Sequence, residues 1–336
     1  MSTIYDIAKE TGFSPSTVAR VLREKGYASP KTKEAIRAAA NRLGYTPSYA
    51  AKVMRTRLSH RILFCVPELN AQFFFRINQK ICPVMDAAGY FTLTCMTGSN
   101  EEKELEMLNA LREDVADGMI MISHNVTRRL IDTINTLEKP VVLINWVPDK
   151  RPGDRFHNIF TDVTDGIYKT TKLMIDHGHR DIAFVVGNID VTTSQSRYLG
   201  YKKALEQSGI PLREDLVMQI VRHINCSAVC ENILMLSPRP TAVVFCSDYD
   251  AAQFISVCRR HNLNVPRDIS VTGMNDEDIA RFFDPPMTTY FLNDSRLGEL
   301  AAHIMLDSLE GKLRDYQTIR IEGELIYRGT VSVCRE

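Results

Sequence analysis

The residues of this chain best suited to chemistry are Ser14, Ser16, Thr17 and Arg20, grouped just after Gly12 and around Pro15. Serine and threonine hydroxyls bond phosphate oxygens, and an arginine fork grips the major-groove edge of a guanine. That is recognition chemistry for double-stranded DNA. Catalytic chemistry finds no support: the chain has no GxxxxGK[ST], no GxGxxG after a strand, no GxSxG and no HExxH. No catalytic residue and no cofactor is expected.

Two amphipathic helices must hold these residues in place. Ile4, Ile7 and Ala8 recur at helical spacing before Gly12, which takes the left-handed conformation that ends a helix at little steric cost. Ser14 then offers an oxygen to the free amides of a new helix, and Pro15 at its first position has no amide to leave unpaired. Val18, Val21 and Leu22 continue the buried face, so Ser16, Thr17 and Arg20 point away from it, toward a major groove. The pattern is a helix-turn-helix. A third helix is predicted from Pro30 to Leu43, capped by Ser29, with Ala35, Ile36, Ala39 and Leu43 as its apolar stripe and Gly44 as its stop. Beyond Pro47, Ala50, Val53 and Met54 share one face of a short segment, while Lys52, Arg55 and Arg57 lie elsewhere. Isolated helices below ~12 residues are marginal in water, so a second subunit together with DNA must order this one. Residues 1–57 hold 11 Lys+Arg against 4 Asp+Glu, a net of +7, and the remainder, with 30 against 37, carries −7. The basic end is the footprint expected on phosphate.

At 336 residues, 44% of them hydrophobic, the chain is too long for a lone DNA-binding module. From Arg61 onward, β-rich runs at 62–66, 91–95, 119–122 and 141–144 alternate with helical stretches around 74–88, 101–113 and 127–138. A second series has strands at 182–186, 217–221, 242–246 and 269–272 and helices near 165–177, 196–208, 227–236 and 249–261. Such alternation predicts two α/β lobes built on parallel sheets covered on both faces. A strand at 288–291, a helix at 295–309 and a strand at 324–327 are expected to return to the first lobe and then the second. The division expected is therefore a DNA-binding domain over 1–47, a hinge over 48–58 and a core over 59–336. Within the core, the N-lobe takes about 60–160 and 291–321, and the C-lobe about 161–290 and 322–336. Pro83 falls inside the helix expected near 74–88 and predicts a bend or an early break.

The eight cysteines form no CxxC and several lie in apolar runs, so reduced core thiols are expected. His177-Gly178-His179 reads as a helix-ending turn, and His223, Cys226 and Cys230 lack a fourth partner, so no metal site is expected. No apolar run is long enough to span a bilayer, and the N-terminus lacks a signal-peptide pattern, so a cytoplasmic location and no membrane partner are expected.

With these elements placed, the chain resembles transcriptional repressors of the lactose/galactose repressor (LacI/GalR) family from Thr3 to about Gly329. Beyond the helix-turn-helix, the resemblance rests on several further blocks: Pro30-Lys31-Thr32, Leu43-Gly44-Tyr45-Thr46-Pro47, Asp117-Gly118 and His177-Gly178-His179. It continues through Arg197 to Tyr201, Ser247-Asp248, and Pro285-Pro286-Met287-Thr288-Thr289. It implies a homodimer on a near-palindromic operator, with one recognition helix per half-site and paired hinge helices in the minor groove. Pro15, Ser16 and Arg20 then face bases, and Tyr5, Ser14, Thr17, Ser29 and Thr32 face phosphates. Ser48 and Ala51 fall on the DNA-facing hinge, and Met54 stands where many members insert a leucine between base pairs. Ala19 and Ser48 depart from a frequent serine and a frequent asparagine. With no heptad-patterned tail before Glu336, a dimer is favoured over a tetramer.

The resemblance also implies a core like that of periplasmic sugar-binding proteins, with a small molecule held between the lobes. Matching positions put Phe73, Phe74, Asn145, Asp162, Arg197, His223, Asp248 and Asn275 around it. Asp162 and Asp248 serve equally well as caps of the helices that follow them. Asn145 and Asn275 stand where acidic residues are common, which removes two charges beside Arg197 and favours a sugar derivative, phosphorylated or acidic. A nucleobase effector, with corepression or activation in place of induction, is the alternative. A two-lobed binding protein without DNA function is the rival from another class, and the basic helix-turn-helix argues against it.

Overall fold

Capping decides where the first helices begin. The structure, a computed structural model, describes residues 2–24, 27–46, 53, 58–69, 71–147, 150–220 and 225–334. The hinge positions Ser48, Ala51 and Met54 and the candidate ligand residue His223 lie outside the described residues. Contacts divide the chain into two units, Met1–Ser59 and His60–Glu336.

In the first unit, α1 (Ile4–Thr11) opens with a capping box in which Thr3 and Asp6 bond each other's backbone, and ends at Gly12 with φ 73°. The bond from Thr3 holds the Asp6 carboxyl below its ordinary range. Ser14 caps α2 (Pro15–Leu22) by accepting the Thr17 amide, and Ser29 caps α3 (Pro30–Arg42) by accepting the Thr32 amide, with proline at the first position of both helices. Ile7, Ala8, Val18, Val21, Ile36, Ala39 and Ala40 form the shared core. Ala35, expected on the apolar stripe, is exposed, and Ala40 takes the buried place instead. Ser29→Ala is expected to destabilise α3 by about 1 kcal/mol, seen as roughly fivefold faster amide exchange over the helix in the full chain; unchanged exchange would assign the capping to solvent.

The second unit carries two six-stranded sheets. The first contains β1 (Arg61–Val66), β2 (Phe91–Met96), β3 (Gly118–Met121), β4 (Val141–Ile144), β5 (His157–Thr161) and β11 (Thr318–Ile321), in the order β11-β5-β4-β3-β1-β2 and parallel throughout. The second contains β6 (Ile182–Val186), β7 (Val217–Gln219), β8 (Ala242–Phe245), β9 (Ser270–Met274), β10 (Thr288–Phe291) and β12 (Glu324–Ile326), in the order β12-β10-β9-β8-β6-β7. Only its edge strand β12 runs antiparallel, against β10. On the first sheet, α4 (Gln72–Ala87) and α12 (Asp294–Leu309) cover one face and α5 (Glu101–Arg112) and α6 (Arg128–Asn135) the other. On the second, α7 (Val163–Asp176) and α8 (Thr192–Gln207) cover one face, and α9 (Cys226–Met235), α10 (Asp248–Arg260) and α11 (Asp278–Phe282) the other. Strands buried on both faces, such as Val141–Ile144 and Ala242–Phe245, are apolar at every position for that reason.

The structure departs from the sequence expectations at three places. β5 carries the polar pair His157-Asn158, which hides it as a strand, yet the pair is buried and His157 is held between Ser308 Oγ at 3.1 Å and the Gln317 amide at 3.2 Å. Burial pushes its imidazole down to about 4. β11, its parallel neighbour, was likewise not expected from the sequence. Third, α4 runs unbroken through Pro83. That residue lies on the exposed side, where water can take the carbonyl left without a donor.

Candidate functional site

On the DNA-binding unit, α2 presents Pro15, Ser16 and Arg20 to solvent, and Tyr5 of α1 is also exposed. Ser14 Oγ lies 2.9 Å from both Ser16 Oγ and Thr17 Oγ1, which gathers three hydroxyls at the start of the helix. Ser29 Oγ and Thr32 Oγ1 make a similar pair at 2.8 Å on α3. The nearby carboxylates are engaged elsewhere: Asp6 in its capping box, Glu10 with Arg42 and Glu24 with Arg37, both pairs at 2.6 Å. Among the described residues Arg20 makes no ion pair, so its guanidinium is available to an external acceptor.

In the core, the carboxyl ends of the parallel strands in both sheets deliver the candidate ligand residues, the position where open α/β sheets bind ligands. Phe73 packs against the apolar cores of both lobes. Phe74 is buried in the N-lobe core, its ring 6.1 Å from His124. Asn145, after β4, donates from Nδ2 to the Ser123 carbonyl and, at 3.4 Å, to Thr193 Oγ1 of the C-lobe. Arg197 lies on α8 with its Nε buried and without a partner among the described residues. Its charge opposes the upward push that burial gives the Cys246 thiol, which still reaches about 12.

The acidic candidates are committed within the protein. Asp162 caps α7, accepting the Thr164 amide at 2.9 Å and the Asp165 amide at 3.1 Å, and lies 3.4 Å from Arg320. Asp248 is fully buried, accepting Thr289 Oγ1 at 2.6 Å and the Glu277 amide at 2.8 Å. Gly273 permits this approach, because a Cβ there would sit 2.1 Å from Asp248 Oδ1. Asn275 and Asp276 follow β9 with φ of 104° and 51°, a sharp left-handed bend of two non-glycine residues.

That bend delivers residues the sequence reading missed. Gln72 Nε2 donates to Asp278 Oδ2 at 2.6 Å, the Asp278 amide donates to Gln72 Oε1 at 2.7 Å, and Arg76 donates to the Asp276 carbonyl at 2.7 Å. Between them Glu277 is buried, which raises its carboxyl against the hydrogen bonds it receives from the Phe73 and Gln72 amides and from Asn275. A second set of bonds joins the lobes where Thr192 and Thr193 meet Asn125 and His124. The sequence signal for both was indirect: α4 and α8 start just after Ala71 and Val191, whose side chains cannot cap a helix. Cys226 and Cys230 lie with sulfurs 3.8 Å apart inside the C-lobe core.

A basic helix-turn-helix joined to a two-lobed α/β core of this kind defines a class, the DNA-binding regulators that carry a small-molecule-binding domain. Comparison with known proteins places it further. The model of bacterial regulatory proteins of the lacI family matches residues 3–48, and that of the periplasmic binding protein-like domain matches residues 171–331. The HTH-type transcriptional repressor PurR of Pasteurella multocida is 31% identical over 98% of this chain and 99% of its own length, and that of Vibrio campbellii 29% over the same shares. Among solved structures, the lac repressor dimer bound to operator and the anti-inducer ONPF superposes with a TM-score of 0.81 at 22% identity, over 98% of this chain and 99% of that one. A LacI family regulator from Silicibacter pomeroyi gives 0.84 at 21% identity, over 99% and 100%. The chain belongs to the LacI family and is a DNA-binding transcriptional repressor. Its relatives are regulators, not enzymes. Among the described residues no helix is long and apolar enough to cross a membrane.

Proposed function

We propose that this repressor acts as a homodimer on a near-palindromic operator, reads bases through Arg20, and changes operator affinity when a planar, nucleobase-type effector binds between the lobes of its core. The observation that carries the effector reading is the buried Nε of Arg197, without a partner among the described residues. Vicinal hydroxyls of a neutral sugar call for an acceptor-only carboxylate, and Asp162, Asp248 and Glu277 are all engaged within the protein. Asn145 and Asn275 are likewise bonded, to Ser123 and Trp146 and to Glu277, so Arg197 is the donor left for an acceptor edge of a nucleobase, with Phe73 as an apolar wall. The relatives carry the name PurR, which favours the same class. The buried Glu277 carboxylate also weakens the case for an acidic or phosphorylated sugar.

A second copy of the chain suits the apolar side chains left exposed on the N-lobe and beside it. Phe75 of α4, Phe91 and Met96 of β2 and Phe282 of α11 are each more than half exposed, which leaves apolar area for a partner to cover. Two-fold symmetry would present one α2 to each half-site.

The test is selection of bound sequences from a random duplex library by the full-length protein, repeated with purine bases, neutral sugars and sugar phosphates in separate arms. An enriched palindrome whose recovery changes only in the purine arm is the expected result; a response confined to either sugar arm overturns the nucleobase assignment. Arg197→Ala should weaken binding of the responding ligand at least tenfold by calorimetry, consistent with loss of a charge-assisted bond of about 1.5–3 kcal/mol, while ligand-free operator affinity stays at the wild-type value. Equal affinity in the variant would move the site elsewhere.

A further inference from the structure

On the first sheet β1 and β2 run parallel with Cys65 directly opposite Cys95. Side chains alternate along a strand, so Arg61, Leu63 and Cys65 share one face of the sheet with Phe91, Leu93 and Cys95. Leu63 and Cys65 belong to the apolar cluster beneath α5 and α6, with Leu93 and Cys95 packed against it. Cys65 is fully buried there, whereas Cys95, on the edge strand, is partly exposed. Cys82 and Cys334 are also partly exposed, but neither stands opposite a second cysteine in the sheet register. Cys226 and Cys230 make a contrasting pair, with sulfurs 3.8 Å apart and both side chains fully buried in the C-lobe core.

Reactivity separates the two pairs. The thiolate, not the thiol, attacks a peroxide, and the oxidant must reach it. The Cys65 thiol beside it draws the Cys95 thiol down to about 7, against the upward push of burial. Cys95 and burial together raise the Cys65 thiol well above the ordinary range, so that the proton stays on Cys65. Cys226 is pushed far up by Cys230 and by burial. One pair therefore offers a partly exposed nucleophile with a protonated thiol opposite, and the other offers two buried thiols.

We propose that Cys95 and Cys65 form a peroxide-responsive pair, in which Cys95 is the site of oxidation and Cys65 resolves it into a disulfide across β1 and β2. The Cys95 thiolate attacks one oxygen of hydrogen peroxide, the O–O bond breaks, and hydroxide leaves, giving a sulfenic acid at Cys95. The Cys65 sulfur then attacks the Cys95 sulfur, the S–O bond breaks, and the oxygen leaves as water with the proton of Cys65. The two sulfurs give up two electrons and the peroxide takes them. Neighbouring strands lie about 4.8 Å apart, within the roughly 4.4–6.8 Å that a disulfide allows between Cα atoms. A relaxed bridge holds its Cβ atoms about 3.5–4.5 Å apart, closer than the strand spacing, so the bond must draw β2 toward β1. As an edge strand with β1 as its one neighbour among the described residues, β2 is free to follow. A bridge strained in this way is readily reduced, which makes the modification reversible. Because β2 also carries the exposed Phe91 and Met96, its displacement alters the apolar edge that the homodimer reading gives to a second copy. The bridge forms or fails to form independently of that reading.

The experiment treats the reduced full-length protein with hydrogen peroxide near neutral pH and reads intact and peptide masses, comparing wild type with Cys65→Ala and Cys95→Ser. Wild type is expected to lose two hydrogens in a Cys65–Cys95 disulfide that dithiothreitol reverses, while Cys226 and Cys230 stay reduced. Cys65→Ala stops at the first step, leaving Cys95 as a sulfenic acid that dimedone traps, and Cys95→Ser gives neither product. The pH midpoint for alkylation of Cys95 by iodoacetamide, about 7 in wild type, moves up toward the ordinary thiol value of about 8.5 in Cys65→Ala. No disulfide in wild type, a Cys226–Cys230 bond that forms first, or a Cys95–Cys95 bond between two copies overturns the proposal. The wild-type cross-link is decisive by itself, so poor folding of Cys65→Ala leaves the test intact.

Discussion

Arg20→Ala is expected to lower affinity for the selected operator by ~1–3 kcal/mol per half-site, roughly 5- to 150-fold, while binding to scrambled duplex changes little. Three observations set this size. Arg20 is exposed on α2, it makes no ion pair among the described residues, and three of the unit's four carboxylates, Asp6, Glu10 and Glu24, are occupied by Thr3, Arg42 and Arg37. Among the described residues no carboxylate pairs with its guanidinium. Alanine is the best helix former and the site is exposed, so the loss would reflect recognition and not unfolding of α2. Anisotropy titrations with operator and scrambled duplex at one fixed salt concentration measure it. An equal fall on both duplexes would make Arg20 a phosphate contact, and the base-reading role would then have to pass to Ser16.

The second large effect concerns stability. Asp248→Ala should destabilise the core by about 2–4 kcal/mol, because it leaves the Glu277 amide and the Thr289 hydroxyl buried without an acceptor. The same carboxyl makes stability depend on pH. Burial raises it to about 8, against the bonds from Thr289 and the Glu277 amide and with help from the Glu277 and Asp276 charges. An acid that holds its proton more tightly folded than unfolded contributes fully below the unfolded value, near 4. That contribution is then lost as pH rises toward the folded value. The melting temperature should therefore fall from pH 6.5 to pH 8, while below pH 6.5 the buried His157 and His179, both held down by burial, act in the opposite sense. Glu104, raised to about 7 chiefly by burial, slopes the same way. Asp268, held down to about 2 by the Asn264 amide, acts in the opposite sense only below that window. Asp248→Asn retains an acceptor for the Glu277 amide and removes the ionisation, so it should flatten part of the slope; a slope identical to wild type would assign the effect to other groups.

How much of this was legible beforehand varied with the range of the interaction. The caps Ser14 and Ser29, the stop at Gly12 and the proline at the start of α2 and α3 are signals between residues a few positions apart, and they appear in the structure as read. The alternation of apolar runs with amphipathic helices likewise specified two parallel α/β sheets, since strands buried on both faces must be apolar throughout. β5 escaped because His157 and Asn158 look like loop residues until Ser308, Gln317 and Leu143 supply their partners. Pro83 misled for a similar reason: whether a proline breaks a helix depends on which side of it faces water.

The candidate ligand residues show the division most clearly. Family resemblance put Asp162, Arg197 and Asp248 around a small molecule between the lobes. The cap that Asp162 makes on α7 was one of its two readings, but nothing local indicated that Asp248 spends both oxygens on Thr289 and the Glu277 amide, or that Arg197 keeps a buried nitrogen without a partner among the described residues. Glu277 was invisible, because its partners on α4 lie about two hundred residues away, as do Gln72 and Asp278, separated by 206 positions. The sequence by itself determined the helix-turn-helix, the α/β class of the core and the basic character of the DNA-binding end, because these follow from local spacing, capping and charge. Only the tertiary structure decided which polar groups face the cleft and which close it, because hydrogen bonds across two lobes depend on where the fold brings distant segments together.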